Sequence, residues 1–444
     1  MRIVTERVPS VRSVALGFWI ATGSAAESDD QAGISHLLEH MLFRGSERFG
    51  SQEIDQIFDA MGAEVNAGTD KESTSLYTRV LDGHLPRAFE VLGDMVFHPR
   101  FGELETEREV VLEEIAMYED DPQDKVFDVL GEAIFGSHPL GRAVIGTAKV
   151  VGAVTREQLA AFHAARYEPQ NLVIAAAGSL EHDALVELVT TLDEVRAGDS
   201  TAPRAGAQRS RLDATAPDFA RRVRFIEKDT EQFHVCVGGA GIAREDERRF
   251  ALRVLEGVLG ATTSSRLFQE VRERRGLAYS VFSFSNLYAH AGEVGLYVGT
   301  RPDNLQQALA VISDELARCV AEPATEEELT RSRENLKGRV VLSMESTGAR
   351  MSRLGGSLLH DMPILSIDEV IERIDAVTLD DLRALADELF HPHALSVAGV
   401  GPDERLFQAA IAPLGAGDDG AATNGASAGM RAPAPSAAAQ GASR

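Results

Sequence analysis

The chain has 444 residues, 44% of them apolar, and its 69 acidic against 44 basic side chains give a formal charge of −25. Such a length and apolar content suffice for two sizeable cores, whereas so negative a chain argues against nucleic acid or an anionic membrane as partner. Cys236 and Cys319, each within an apolar run, are too few for a disulfide framework and are not spaced for metal binding; they read as inert core thiols in a reducing compartment, by default the cytoplasm.

In chain order, the first informative stretch is Val11 to Gly23, which suits the apolar region of a signal peptide flanked by Arg2, Arg7 and Arg12, and suits a buried strand equally well. No run reaches the ~18 apolar residues of a membrane-spanning helix.

His36-Leu37-Leu38-Glu39-His40 follows. At about 100° per residue, with His36 at zero, His40 falls near 40° and Glu39 near −60°, so all three share one helix face. Ile34, Leu37, Leu38, Met41 and Leu42 fall opposite as a core-facing stripe, with Ser35 as N-cap and Gly45 as the C-terminal stop. Two imidazoles one turn apart can share a zinc ion, and Glu39 is placed to accept a proton from metal-activated water. Taken alone, the same letters would also suit an ordinary solvated helix face.

Asn66 to Tyr77 reads as a polar turn running into a strand. Glu103 to Tyr118 is an acidic helix: Glu105, Glu109 and Glu113 lie with Ala116 on its solvated side, while Glu107 and Glu114 share the other side with Val110, Val111 and Tyr118. Carboxylates on a partly apolar face need a partner. Glu114 is therefore the candidate third zinc ligand and Glu107 a carboxylate that orients a histidine.

The pattern divides into a first domain at 1–198, a linker at 199–222 rich in Ala, Arg, Ser and Thr, a second domain at 223–413, and a disordered Ala/Gly/Ser/Pro tail at 414–444. The second domain repeats the strand and helix order of the first, with strands near Phe233–Gly238, Tyr279–Phe284 and Glu293–Val298 and a helix near Phe250–Leu259. A basic helix from Ser264, whose Arg266, Arg272, Arg274 and Arg275 would, taken alone, also suit an ordinary solvated side ending at Gly276, takes the place that the histidine helix has in the first domain.

Gly33 to Gly45, with its His-x-x-Glu-His order, followed by Glu107 to Glu114, resembles the pitrilysin (inverzincin) family of zinc peptidases. The short-chain branch with the mitochondrial processing peptidase subunits and their bacterial relatives is the most similar. The resemblance implies an α/β (α+β) fold of two duplicated domains, each a mostly antiparallel sheet packed against helices, with the first core strand in Val11–Gly23. It implies one Zn2+ per chain held by His36, His40 and Glu114, with Glu39 as base and Glu107 in support. Asn66, Ala67 and Gly68 would lie on an edge strand that takes the peptide substrate, and Arg272 and Tyr279, seven residues apart, would hold the substrate backbone and assist the tetrahedral intermediate. His138 to Gly141 and Tyr167 to Leu172 are further landmarks. One departure is Leu259 to Thr263, where many relatives are glycine-rich. Because larger relatives fuse two such chains into a clamshell, this chain is expected to form a homodimer with composite sites and to cleave unstructured peptides or precursor segments. A non-catalytic partner subunit of a related peptidase is the alternative.

Overall fold

The computed structural model describes residues 1–192 and 217–415, so most of the expected linker and tail lies outside the described residues. It contains two five-stranded sheets. The first, ordered β1-β5-β2-β4-β3, consists of β1 (Arg2–Arg7), β2 (Ser13–Ile20), β3 (Glu64–Thr69), β4 (Thr74–Leu81) and β5 (Leu172–Gly178). The second, ordered β6-β10-β7-β9-β8, consists of β6 (Val223–Glu227), β7 (Phe233–Gly241), β8 (Ala278–Leu287), β9 (Gly292–Thr300) and β10 (Ser396–Gly401). Among the described residues only the outer pairs β1–β5 and β6–β10 are parallel. The identical order is the mark of a duplicated unit, as expected.

The first half carries α1 (Ile34–Leu42), α2 (Ser51–Ala60), α3 (Leu85–Phe97), α4 (Leu104–Asp120), α5 (Pro122–Phe135), α6 (Ala148–Val151), α7 (Arg156–Arg166) and α8 (His182–Val189). The second carries α9 (Arg249–Leu259), α10 (Leu305–Ala321), α11 (Glu326–Ser343), α12 (Thr347–Leu359), α13 (Ile367–Asp375), α14 (Leu379–Leu389) and α15 (Glu404–Ala410). Among the described residues no helix is long and apolar enough to cross a membrane.

The apolar run of β2 is a buried strand because the sheet is covered on both faces. Phe18 and Leu16 join the stripe of α1 in one core. On the opposite face Ala15, Ala175 and Ala177 meet Met351 and Leu354 of α12, which comes from the second half. The exchange is reciprocal. From α5 of the first half, Val126, Val129, Leu130 and Ile134 pack on Cys236, Tyr297, Ala398 and Val400 of the second sheet. Small residues permit the close approach of α12: a Cβ on Gly355 would lie 2.3 Å from the Trp19 indole nitrogen.

Three expectations need correcting. Between β7 and β8 the chain forms α9 and then a π-helical stretch at Phe268–Glu273, just as α1 and α2 lie between β2 and β3. The counterpart of the histidine helix is therefore α9, and the basic stretch corresponds to α2; position between equivalent strands decides equivalence, and charge does not. Arg266 is buried rather than solvated, because Glu328 takes its guanidinium through two bonds of 2.8 and 2.7 Å. Ser35 is not the N-cap of α1: that residue is Gly33, at φ +99°, where a side chain would also strike the Ile145 carbonyl.

Candidate active site

Helix α1 is locked by Ile34, Leu37, Leu38, Met41 and Leu42, all at most 1% exposed. Its N-terminus is satisfied from a distance. The Glu27 carboxylate accepts from the Gly33 and Ser35 amides, both at 2.8 Å, and thereby serves two of the unpaired donors of the first turn. Burial nevertheless pushes the Glu27 pKa up to about 7 against the pull of those two bonds.

With α1 fixed, His36, Glu39 and His40 share one face, and α4 brings Glu114 to them. A Glu114 oxygen lies 3.4 Å from His40 Nε2 and 3.7 Å from His36 Nε2, and ligand atoms of the three residues all lie within 4.8 Å of one another. Donors about 2.0–2.1 Å from a shared tetrahedral ion sit about 3.3 Å apart, which the two Glu114–histidine distances approach.

The two rings sit in different electrostatic settings. His40 Nδ1 lies 2.7 Å from a Glu107 oxygen, and Arg44 donates to the other oxygen of that carboxylate. Glu107 is 3% exposed; burial would raise its pKa, but His40 and Arg44 outweigh it and hold the carboxyl below its usual range. Burial would lower the His40 pKa, but the bond and charge of Glu107 outweigh it and raise it; once neutral, with Nδ1 donating to Glu107, the ring offers its lone pair at Nε2. Burial, reinforced by His40, lowers the His36 pKa to about 4, so His36 is neutral and available as a donor. On α4 the buried face is Leu104, Glu107, Val111 and Ile115; Val110 and Tyr118, expected beside Glu107, are largely exposed.

The Glu39 carboxylate accepts from Thr69 Oγ1 at 2.6 Å. Burial raises its pKa, against the donation from Thr69. Thr69 is the last residue of β3, the outermost strand of its sheet. Gly68 lines the cavity beside the histidines, whereas Asn66 and Ala67 lie farther along the same strand.

That cavity, of about 620 Å³, runs between the two halves of the chain. His36, Glu39, Glu114 and Thr69 line it together with Asp124, Phe127 and Asp128 of α5 and Phe282 and Phe284 of β8, and Lys71 and Glu293 line it too. Phe127 meets Phe284 edge-on at 5.3 Å, so the apolar wall is shared by both halves.

Arg272 and Tyr279 are brought together, but not to this cavity. The Arg272 guanidinium stacks 4.5 Å from the Tyr279 ring centre and donates to the Tyr279 carbonyl at 3.2 Å, at the point where the β8–β9 register shifts, and Tyr279 is 78% exposed. Sequence reasoning did not find Glu27, Thr69, Lys71, Asp124 or Asp128. Only the last two carried a signal, since their i, i+4 spacing puts them on one helix face.

Residues 2–148 match the family described as Insulinase (Peptidase family M16), and residues 153–336 match the Peptidase M16 inactive domain. An uncharacterized zinc protease of Streptomyces coelicolor is 43% identical over 414 residues, covering 91% of this chain and 89% of the relative. One of Bacillus subtilis is 40% identical over 393 residues, covering 88% and 93%. Among solved structures, the peptidase M16 inactive domain from Pseudomonas fluorescens superposes with a TM-score of 0.81 at 23% identity, covering 90% of this chain and 96% of that one. A protease from Helicobacter pylori gives 0.80 at 20% identity, with 89% and 96% covered. These two establish likeness of fold. The two family matches and the two relatives together place the chain in peptidase family M16.

Proposed function

We propose that the protein is a zinc-dependent endopeptidase that hydrolyses peptide bonds in unstructured peptides or precursor segments. The observation that carries this is the convergence of His36, His40 and Glu114 beside a cavity lined by His36, Glu114 and Glu39. The names of the relatives as zinc proteases support it. The match called inactive covers only 153–336, beyond all of these residues.

His36, His40 and Glu114 would hold one zinc ion per chain, which supplies, when bound, a Lewis acid and a water acidified toward pKa ~7. Three protein donors rather than four is the arrangement of catalytic zinc. Glu39 accepts the proton of the water that attacks the carbonyl carbon, then returns it to the departing amine nitrogen. Glu107 and Arg44 keep the His40 ring in one orientation. Along Asn66, Ala67 and Gly68, the outer edge of β3 offers main-chain donors and acceptors to an extended peptide. Asp124, Asp128 and Glu293 give the cavity an acidic wall, which favours basic side chains.

Arg272 and Tyr279 contribute from a second copy of the chain, holding the substrate backbone and stabilising the charge of the tetrahedral intermediate. That neither lines the cavity within one chain supports a homodimer with composite sites. Two buried free cysteines agree with a reducing, cytoplasmic setting.

The test is zinc content together with hydrolysis of an unstructured peptide library by wild type and Glu39→Gln. Retained metal with turnover lost supports the enzyme; equal turnover removes Glu39 as base, and a protein that binds no zinc removes the mechanism.

A further inference from the structure

We infer that Thr69 is the positioning residue of the general base: its hydroxyl holds one oxygen of Glu39 and leaves the other to carry the proton. This rests on the peptidase reading of the same site and goes beyond it by naming what aims the base.

Hydroxyl bookkeeping fixes the direction of the bond. Each threonine hydroxyl has a single proton. Thr74 spends its own on the Thr22 carbonyl at 3.0 Å. Thr69 lies 3.4 Å from the Thr74 oxygen but 2.6 Å from Glu39 Oε2, so its proton goes to Glu39. Thr69 and Thr74 are directly paired across β3 and β4, and the β-branched Thr69 side chain has little rotameric freedom on a strand.

The backbone behind Thr69 is held equally firmly. Asp70 accepts from the Glu72 and Ser73 amides at 2.7 Å each and from Ser73 Oγ at 2.9 Å. The Ser24 and Ala25 amides bind the Asp70 and Lys71 carbonyls at 3.0 and 2.8 Å. Within the same turn, Glu72 is tied to Arg244 and to the Ala289 amide of the second half. Thr69 therefore donates from a fixed point. Because it belongs to the strand that would receive substrate, the base and the peptide are set by one element.

The experiment compares Thr69→Val, which keeps the shape and loses the donor, with Thr69→Ser, which keeps the donor. Thr69→Val should lower kcat about 10- to 100-fold, with KM within about threefold and zinc content unchanged, and Thr69→Ser should stay within about threefold of wild type. Crystal structures of the metal-free variants give a second readout that needs no turnover: the Glu39 carboxylate stays in place in wild type and Thr69→Ser and leaves it in Thr69→Val. A Thr69→Val enzyme at wild-type kcat, or an unmoved Glu39 in its structure, overturns the inference. If wild type cleaves nothing, the peptidase reading fails and the structures still decide whether Thr69 holds Glu39.

Discussion

Glu72, in the turn between β3 and β4, accepts from Arg244 of the second half at 2.5 Å and from the Ala289 amide at 2.9 Å. Its side chain is 8% exposed and that of Arg244 22%, so the pair is largely removed from water. Removing one partner strands the other, which costs about 3 kcal/mol. Arg244→Ala should therefore lower unfolding free energy by about that amount in urea titrations. Pairing it with Glu72→Ala should cost less than the sum of the two single changes.

Glu107 supplies no ligand, yet it fixes His40 through Nδ1. Glu107→Gln keeps the shape and forfeits the charge that both His40 and Arg44 meet. Zinc affinity, read by competition with a chromogenic chelator, should fall about 10- to 100-fold while excess zinc restores full occupancy. Unchanged affinity would show that packing alone orients the ring.

Glu27 makes stability depend on pH in a defined direction. Its folded pKa of about 7 lies above the ordinary 4.5. Below the lower value both states hold the proton. Between the two, the folded protein keeps a proton that the unfolded chain has lost, so stability falls as pH rises through this window and levels off above it. Glu27→Gln carries a fixed cost for its altered hydrogen bonds but lacks the slope. Its stability relative to wild type should improve between pH 5 and 8 by roughly 2.5 kcal/mol, at about 1.4 kcal/mol per pKa unit, in denaturation series at each pH. A constant difference would mean that Glu27 does not titrate in that range.

Arg272 and Tyr279 should act in trans. Inactive Glu39→Gln protein mixed with inactive Arg272→Ala/Tyr279→Phe protein should regain up to about a quarter of wild-type activity after subunit exchange at equal amounts, because a statistical half of the dimers are mixed and each of those holds one intact site out of two. No recovery despite proven exchange would place both functions within one chain.

The heart of the site was legible because it obeys helical geometry. His36, Glu39 and His40 share a face by spacing alone, and the five apolar residues opposite them are all buried. Glu107 and Glu114 were separable from Glu105, Glu109 and Glu113 by the side of α4 that the two share. What escaped is what spacing cannot encode. Glu27 reaches α1 from a preceding loop, and Thr69 reaches Glu39 from a strand distant in sequence, so neither stands out among the chain's many acids and hydroxyls. Arg266 read as solvated because a basic stretch does not announce the single acid, Glu328, that buries one member of it. Helices α5 and α12 carry ordinary apolar faces, and such a face does not say which sheet it will cover.

The crossed covering by those two helices has a consequence for how the protein is born. Ala15, Ala175 and Ala177 leave the ribosome long before Met351 and Leu354 of α12, which shield them. Until nearly the whole polypeptide has emerged, the amino-terminal sheet carries a bare apolar flank, a surface prone to sticking to other nascent chains. Folding of this protein is therefore committed late in translation, and its earliest vulnerable stage is a half-roofed sheet waiting for its lid.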